Sequence, residues 1–247
     1  MQTLSEKGAE AFDLEGGLRL VSWNLAKRPL NETPLAELAG QTDILCVQEA
    51  TPELLPLEGN TVHFAESFRT PGQAGQSHGL ATLARAHPLA EGSHVIHSRW
   101  KEGWVMTPKM VLSSEFDLGA TRLLIINVHA YNFQPVFKYM LRDQFERIAR
   151  RVDEHVGPAV VCGDFNTWRR DRFELVQRFL PDFDPVQFAP SPHRKCAHWS
   201  SSLALGSPQL ALDHVFVRGM EWSNAHVLPC FHSDHGALAV QLHPVSS

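Results

Sequence analysis

What most constrains this chain is a series of short, continuous apolar runs, each closing on a polar residue of a restricted kind. Leu20-Val21-Ser22-Trp23 ends on Asn24, and Ile44-Leu45-Cys46-Val47-Gln48 ends on Glu49. Leu124-Ile125-Ile126-Asn127-Val128 ends on His129, with Asn132 three residues on. Val160-Val161-Cys162-Gly163 ends on Asp164, with Asn166 beyond it. Ala211-Leu212 leads into Asp213-His214, and Ser233-Asp234-His235 opens a last apolar run. Runs of this length and composition, bounded by turn residues, read as buried strands. Polar side chains at strand ends are where a rigid sheet can hold reacting groups while loops admit a substrate.

The remaining pattern supports a single α/β or α+β unit. Strands are expected at 18–23, 43–48, 79–84, 109–116, 122–128, 159–162, 211–217, 223–228 and 237–242, and short helices at 34–40 and 172–180. The best helix spans 135–156: Val136, Met140, Leu141, Phe145, Ile148, Ala149 and Val152 recur at helical spacing, and Gly157-Pro158 stops it. Glu146 stands four residues before Arg150, a spacing that supports a solvated face. Strands outnumber helices, which interrupt them irregularly. Residues 1–17 are acidic, lack the basic-then-apolar order of a signal peptide and read as a flexible tail. That leaves 18–247 as one domain, long enough to bury a sizeable core.

Composition excludes several classes. The longest apolar runs, such as Leu123–Ile126, fall far short of the roughly 18 residues of a membrane span. The net charge of −5 is not the basic balance of a protein held on nucleic acid mainly by phosphate neutralisation. Four cysteines, at 46, 162, 196 and 230, include no CxxC pair. Two of them sit in apolar runs, and the expectation is four reduced thiols in a reducing compartment, the cytoplasm; a monomer is expected as well. Fourteen histidines make a metal or phosphate site worth seeking. His193, Cys196 and His198 resemble fragments of a zinc site, but their spacing fits no common zinc pattern.

The inventory of strand ends suits one reaction. Glu49 is a hard oxygen ligand for Mg²⁺. Asp164 is placed to orient or deprotonate a water, while Asn24 and Asn166 are neutral donors for phosphoryl oxygens. His129 and His235 donate to a developing phosphorane when protonated, and a buried Asp213 beside His235 would fix its tautomer and raise its pKa. Together these support in-line attack of water on a phosphate ester. Taken singly, each member has a plainer reading as a strand end, turn or cap. Trp168-Arg-Arg-Asp-Arg172 either contacts a nucleic-acid backbone or base, or is a solvated helix start with Trp168 packed inward. Arg194, Lys195 and Trp199 offer a second substrate wall.

Val21-Ser-Trp-Asn24, Val47-Gln-Glu49, Asn127-Val-His129, Gly163-Asp-Phe-Asn166, Leu212-Asp-His214 and Ser233-Asp-His235 resemble the ordered motif set of the endonuclease/exonuclease/phosphatase superfamily. Trp23-Asn-Leu-Ala-Lys27, His129-Ala-Tyr-Asn-Phe133, His155-Val-Gly-Pro158 and Leu212-Asp-His-Val-Phe-Val-Arg-Gly219 resemble its YafD-like bacterial branch. The resemblance implies a deoxyribonuclease I-like, four-layered α-β-β-α sandwich of two mixed sheets. It implies a divalent-metal-dependent phosphoesterase, using Mg²⁺ with Mn²⁺ as an alternative, on a phosphoester substrate such as DNA or RNA. Glu49 would be the principal metal ligand, with Asn24 beside it and Asp234 near the ion. Asp164 would position the attacking water, Asn166 would stabilise the transition state, and Asp213 would pair with His235 at the scissile phosphate. His129 would bind phosphate, with Asn132, Lys27, Trp168 and Arg169 on the substrate side. Some members carry an acid two residues after the motif Asn, where this chain has Ala26, which puts a fixed two-metal site in doubt. A phosphomonoesterase and a catalytically dead binding module are the alternatives on the same scaffold.

Overall fold

The computed structural model describes residues 2–5, 12, 14–26, 32–69, 77–97, 99–102, 107–132, 139–195, 211–229 and 233–245. One seven-stranded sheet runs, in spatial order, β1 (Gln2–Ser5), β4 (Thr61–Arg69), β5 (Ser77–Ala84), β3 (Ile44–Ala50), β2 (Leu18–Asn24), β15 (Ala237–Pro244) and β14 (Met220–Leu228). A six-stranded sheet runs β12 (Asp184–Pro185), β13 (Asp213–Arg218), β11 (Ala159–Asp164), β10 (Arg122–His129), β9 (Val111–Asp117) and β6 (Pro88–Ile96). A small hairpin pairs β7 (Lys101–Glu102) with β8 (Thr107–Pro108). Both large sheets are mixed: β2 and β3 pair parallel, as do β10 and β11, among antiparallel neighbours.

The continuous apolar runs follow from burial on both faces of the central strands. Leu18 and Leu20 of β2, Ile44 and Cys46 of β3, and Leu238 and Val240 of β15 pack against Leu123 and Ile125 of β10, Val160 and Cys162 of β11, and Val215 and Val217 of β13. That is the core between the sheets. The alternate positions face outward. Val21, Trp23, Leu45 and Val47 meet Leu35 and Ala39 of α1 (Glu32–Gly40). On the other side, Leu124, Ile126, Ala159, Val161 and Phe165 meet two helices. These are α2 (Tyr139–Asp153), through Leu141, Phe145 and Ile148, and α3 (Arg170–Phe179), through Phe173 and Val176. Helix, sheet, sheet and helix therefore stack as four layers.

The expected elements are present, with shifted ends: the helix expected over 135–156 is described from Tyr139 to Asp153. Two long strands, β4 and β6, carry no comparable signal. β4 interleaves Thr61, His63 and Glu66 with its apolar residues, and β6 opens on Pro88 and carries Glu91 and His94, so neither shows a continuous apolar run. The expected tail needs correction in part. Gln2–Ser5 pairs antiparallel with β4, and Phe12 and Leu14 pack against the inter-sheet core. Among the described residues, no helix is long and apolar enough to cross a membrane.

Candidate active site

Side chains on a strand alternate between faces, and this decides which strand ends can meet. Cys162 and Val215 face the inter-sheet core, so by parity Asp164 and Asp213 face inward too. Leu123 and Ile125 set the same face for His129, and Leu18 and Leu20 set it for Asn24. The ladder places His129 beside Asp164, and Asp164 beside Asp213. Four strand ends from two sheets thus converge at one edge of the sandwich.

Glu49 breaks the parity rule. Cys46 faces the inter-sheet core, and Gln48 reaches across it to Asn127 (2.8 Å), so a regular strand would point Glu49 outward. The pairing of β3 with β5 instead shifts between Val47 and Ala50, and Glu49 takes a φ of 55°. This irregularity re-aims the carboxylate: Oε1 lies 3.7 Å from His129 Nε2.

Asp164 is buried and held at both oxygens. Asn24 Nδ2 donates to Oδ2 (2.9 Å), and the Asn166 backbone N–H donates to Oδ1 (2.9 Å). Burial, reinforced by the charge of Asp213, raises its pKa to about 6, against the opposing pull of His235 and Lys109. Asn166, at a φ of 50°, also donates from Nδ2 to Ala130 O (2.9 Å). His235 Nδ1 donates to Asp213 Oδ2 at 2.8 Å. Burial opposes charge on this imidazole, but Asp213 outweighs it and the pKa rises to about 9. The backbone around His235 is fixed as well: Ser233 Oγ donates to Asn24 O (2.6 Å), and Trp23 Nε1 donates to His235 O (3.0 Å).

Other expected residues fall around this centre or away from it. Asp234 Oδ1 is 3.7 Å from His235 Nε2, while its Oδ2 is paired with Lys195. Trp168 is partly buried, and its Nε1 donates to Asn132 O (3.2 Å). Arg169 is exposed and paired with Asp171 (2.8 Å), its guanidinium 5.8 Å from the Trp168 ring. Arg172 is buried, donating to Asn166 O (2.8 Å) and to Tyr131 O, so it braces the two site loops. Lys27, Cys196, His198 and Trp199 lie outside the described residues.

Asp164, Asp213 and His235 offer ligand atoms all within 4.8 Å of one another, a group that could hold a cation. The chemistry of the donors argues for a different place. Within that group the Asp213–His235 hydrogen bond already engages one ligand atom of each residue. Glu49 and Asn24 supply hard oxygens suited to a small divalent ion, and the Glu49 carboxylate is aimed into the site. The residues present therefore fit a divalent cation on the Glu49 side.

Lys109 and the Gln48–Asn127 pair carry no site role in the sequence pattern, and Lys195 enters there only as a candidate substrate wall. Lys109 lies two residues ahead of β9, beside the strand ending on His129, and its Nζ is 2.6 Å from His129 Nε2. A lone lysine opening an apolar run is its one signal. Gln48 and Asn127 lie in the quoted motifs, and the structure shows them joining the two sheets beneath the site.

Residues 21–235 match the Endonuclease/Exonuclease/phosphatase family. The chain belongs to that family. A UPF0294 protein of Yersinia enterocolitica, of the YafD-like kind, is 31% identical over 236 residues, covering 92% of this chain and 84% of that one. Among solved structures, an endonuclease/exonuclease/phosphatase family protein from Leptotrichia buccalis superposes with a TM-score of 0.71 at 14% identity, covering 92% of this chain and 99% of that one. The human Nocturnin catalytic domain with bound sulfate anion gives 0.61 at 17% identity, covering 94% and 96%. The superfamily includes metal-dependent nucleases and phosphoesterases.

Proposed function

We propose that the protein is a divalent-metal-dependent phosphoester hydrolase, a phosphodiesterase or nuclease, acting by in-line attack of a water held by Asp164. The observation that carries this reading is the convergence of Glu49, Asp164 and the Asp213–His235 pair at one buried edge. Asp164, with both oxygens fixed and a pKa near 6, is suited to accept a proton from water near neutral pH. His235, held protonated by Asp213, donates from Nε2 to a phosphoryl oxygen as charge builds there. Asn24 orients Asp164, and Asn166 lends its amide on the loop beside it. Glu49, with Asn24 and Asp234 as further oxygen donors, would hold a divalent ion, which would supply further neutralisation of phosphate charge. The sulfate bound by the Nocturnin catalytic domain supports an anion site on this fold.

The test is hydrolysis of plasmid DNA, oligonucleotides, bis-p-nitrophenyl phosphate and p-nitrophenyl phosphate, each with Mg²⁺ and with chelator. Diester cleavage lost on chelation, and nearly absent in Asp164→Asn while its circular dichroism is unchanged, is the expected result. Activity that survives the chelator or the substitution rejects the mechanism; cleavage of the monoester alone rejects the diester assignment.

A further inference from the structure

Lys109 is a buried cation beside the site that takes no part in the hydrolysis just described. It is 9% exposed, and the residue after it, Met110, accepts at its carbonyl from His129 N (3.3 Å). Its Nζ is 2.6 Å from His129 Nε2, an atom that lies 3.7 Å from Glu49 Oε1 and 3.8 Å from Asp164 Oδ2. Its charge also reaches Asp164, where it pulls the carboxyl pKa downward. Desolvating an ammonium is costly, and the negative charge of Asp164, with which it interacts, offsets part of that cost.

The hydrogen-bond chemistry is directional. An ammonium has three donors and no acceptor, so a charged Lys109 donates to His129 Nε2 across this contact. The cationic donor on this wall is then the lysine, with the histidine fixing its head.

Resting on the phosphoester-hydrolysis reading, we propose that Lys109 is a catalytic residue that binds a non-bridging phosphoryl oxygen, and that His129 positions it. Lys109→Met removes the charge at similar length, and Lys109→Arg restores it. Two readouts apply to the full chain: Mg²⁺-dependent hydrolysis of bis-p-nitrophenyl phosphate, and binding of inorganic phosphate in chelator, followed by ³¹P NMR. Lys109→Met is expected to lower kcat on the order of 100-fold and to weaken phosphate binding about tenfold, with Lys109→Arg recovering part of both and melting temperatures little changed. Phosphate affinity equal in wild type and Lys109→Met, or no measurable binding by wild type, overturns the proposal. So does an equal loss in both variants accompanied by a fall in melting temperature, which marks a structural role. Asp164→Asn separates the two readings: it should bind phosphate while losing turnover. If wild type and Asp164→Asn hydrolyse alike, or neither does, the hydrolysis reading fails, and the phosphate measurement still decides Lys109.

Discussion

A Cβ added at Gly163 would run into the backbone of Val128, its carbonyl oxygen above all, and the residue sits at a φ of 138°. Gly-Asp-Phe-Asn reads in sequence as a turn, but Gly163 is inside β11, where the backbones of β10 and β11 approach closely. Its freedom sets the position of Asp164 next to it. Gly163→Ala is expected to cost at least about 2 kcal/mol, measured by urea unfolding, and to lower activity through the displaced carboxylate. Asp213 acts at the same scale through its 2.8 Å bond to His235. Asp213→Asn keeps the shape but removes the charge that holds the imidazole protonated. Turnover should fall about 10²–10⁴-fold, and wild-type kinetics in that variant would refute the pairing role.

The elements are held together by a polar joint at the other end of the β9–β10 pair. Arg151 of α2 pairs with Glu115 of β9 (2.5 Å) and donates to Ser113 Oγ (3.1 Å), and His155 Nδ1 adds a second contact to Glu115 (2.9 Å). Burial raises the Glu115 carboxyl pKa, but Arg151 and His155 outweigh it and the net shift is downward. The helical pattern predicted the apolar face of α2, including Leu141, Phe145 and Ile148. It did not predict that Arg151 would turn inward, because an arginine at that spacing matches a solvated face equally well. The expected Glu146–Arg150 pairing also differs: Glu146 pairs with Arg142 (2.8 Å), and Arg150 donates to the Glu146 carbonyl instead. Glu115→Ala should cost about 3–5 kcal/mol by stranding the buried guanidinium, and adding Arg151→Met should recover part of it. Strictly additive losses in denaturant melts would show that the two residues do not act as a pair.

At the scale of the whole molecule, the sandwich buries His63 and His214. His63 reaches Ser114 Oγ across the inter-sheet space (3.0 Å), and burial lowers its pKa to about 4. His214 is lowered to about 3 by burial, aided by Arg194. Both folded pKa values lie below the ordinary value of 6.5, so the unfolded chain binds protons that the folded chain refuses. Their contribution to stability is full above that value and is lost as pH falls from 6.5 toward 4. The slope approaches about 1.4 kcal/mol per pH unit for each histidine. Urea midpoints measured across that range should fall with acid, and His63→Gln should flatten the decline; an unchanged slope in the variant would remove His63 from the account.

The sequence alone determined the central strands, the order of the polar residues that end them and the family to which the chain belongs, because continuous burial on both faces leaves a pattern in composition that survives without coordinates. It also singled out the polar strand ends that the fold brings together at one edge, since their kinds and order are distinctive. Tertiary structure decided how they are aimed. Glu49 reaches the site through a local irregularity in β3, Lys109 through its place beside the strand of His129, and Arg172 braces the site loops from inside rather than meeting a substrate. Each of these depends on contacts between segments far apart in the chain, and no local pattern of residues records them.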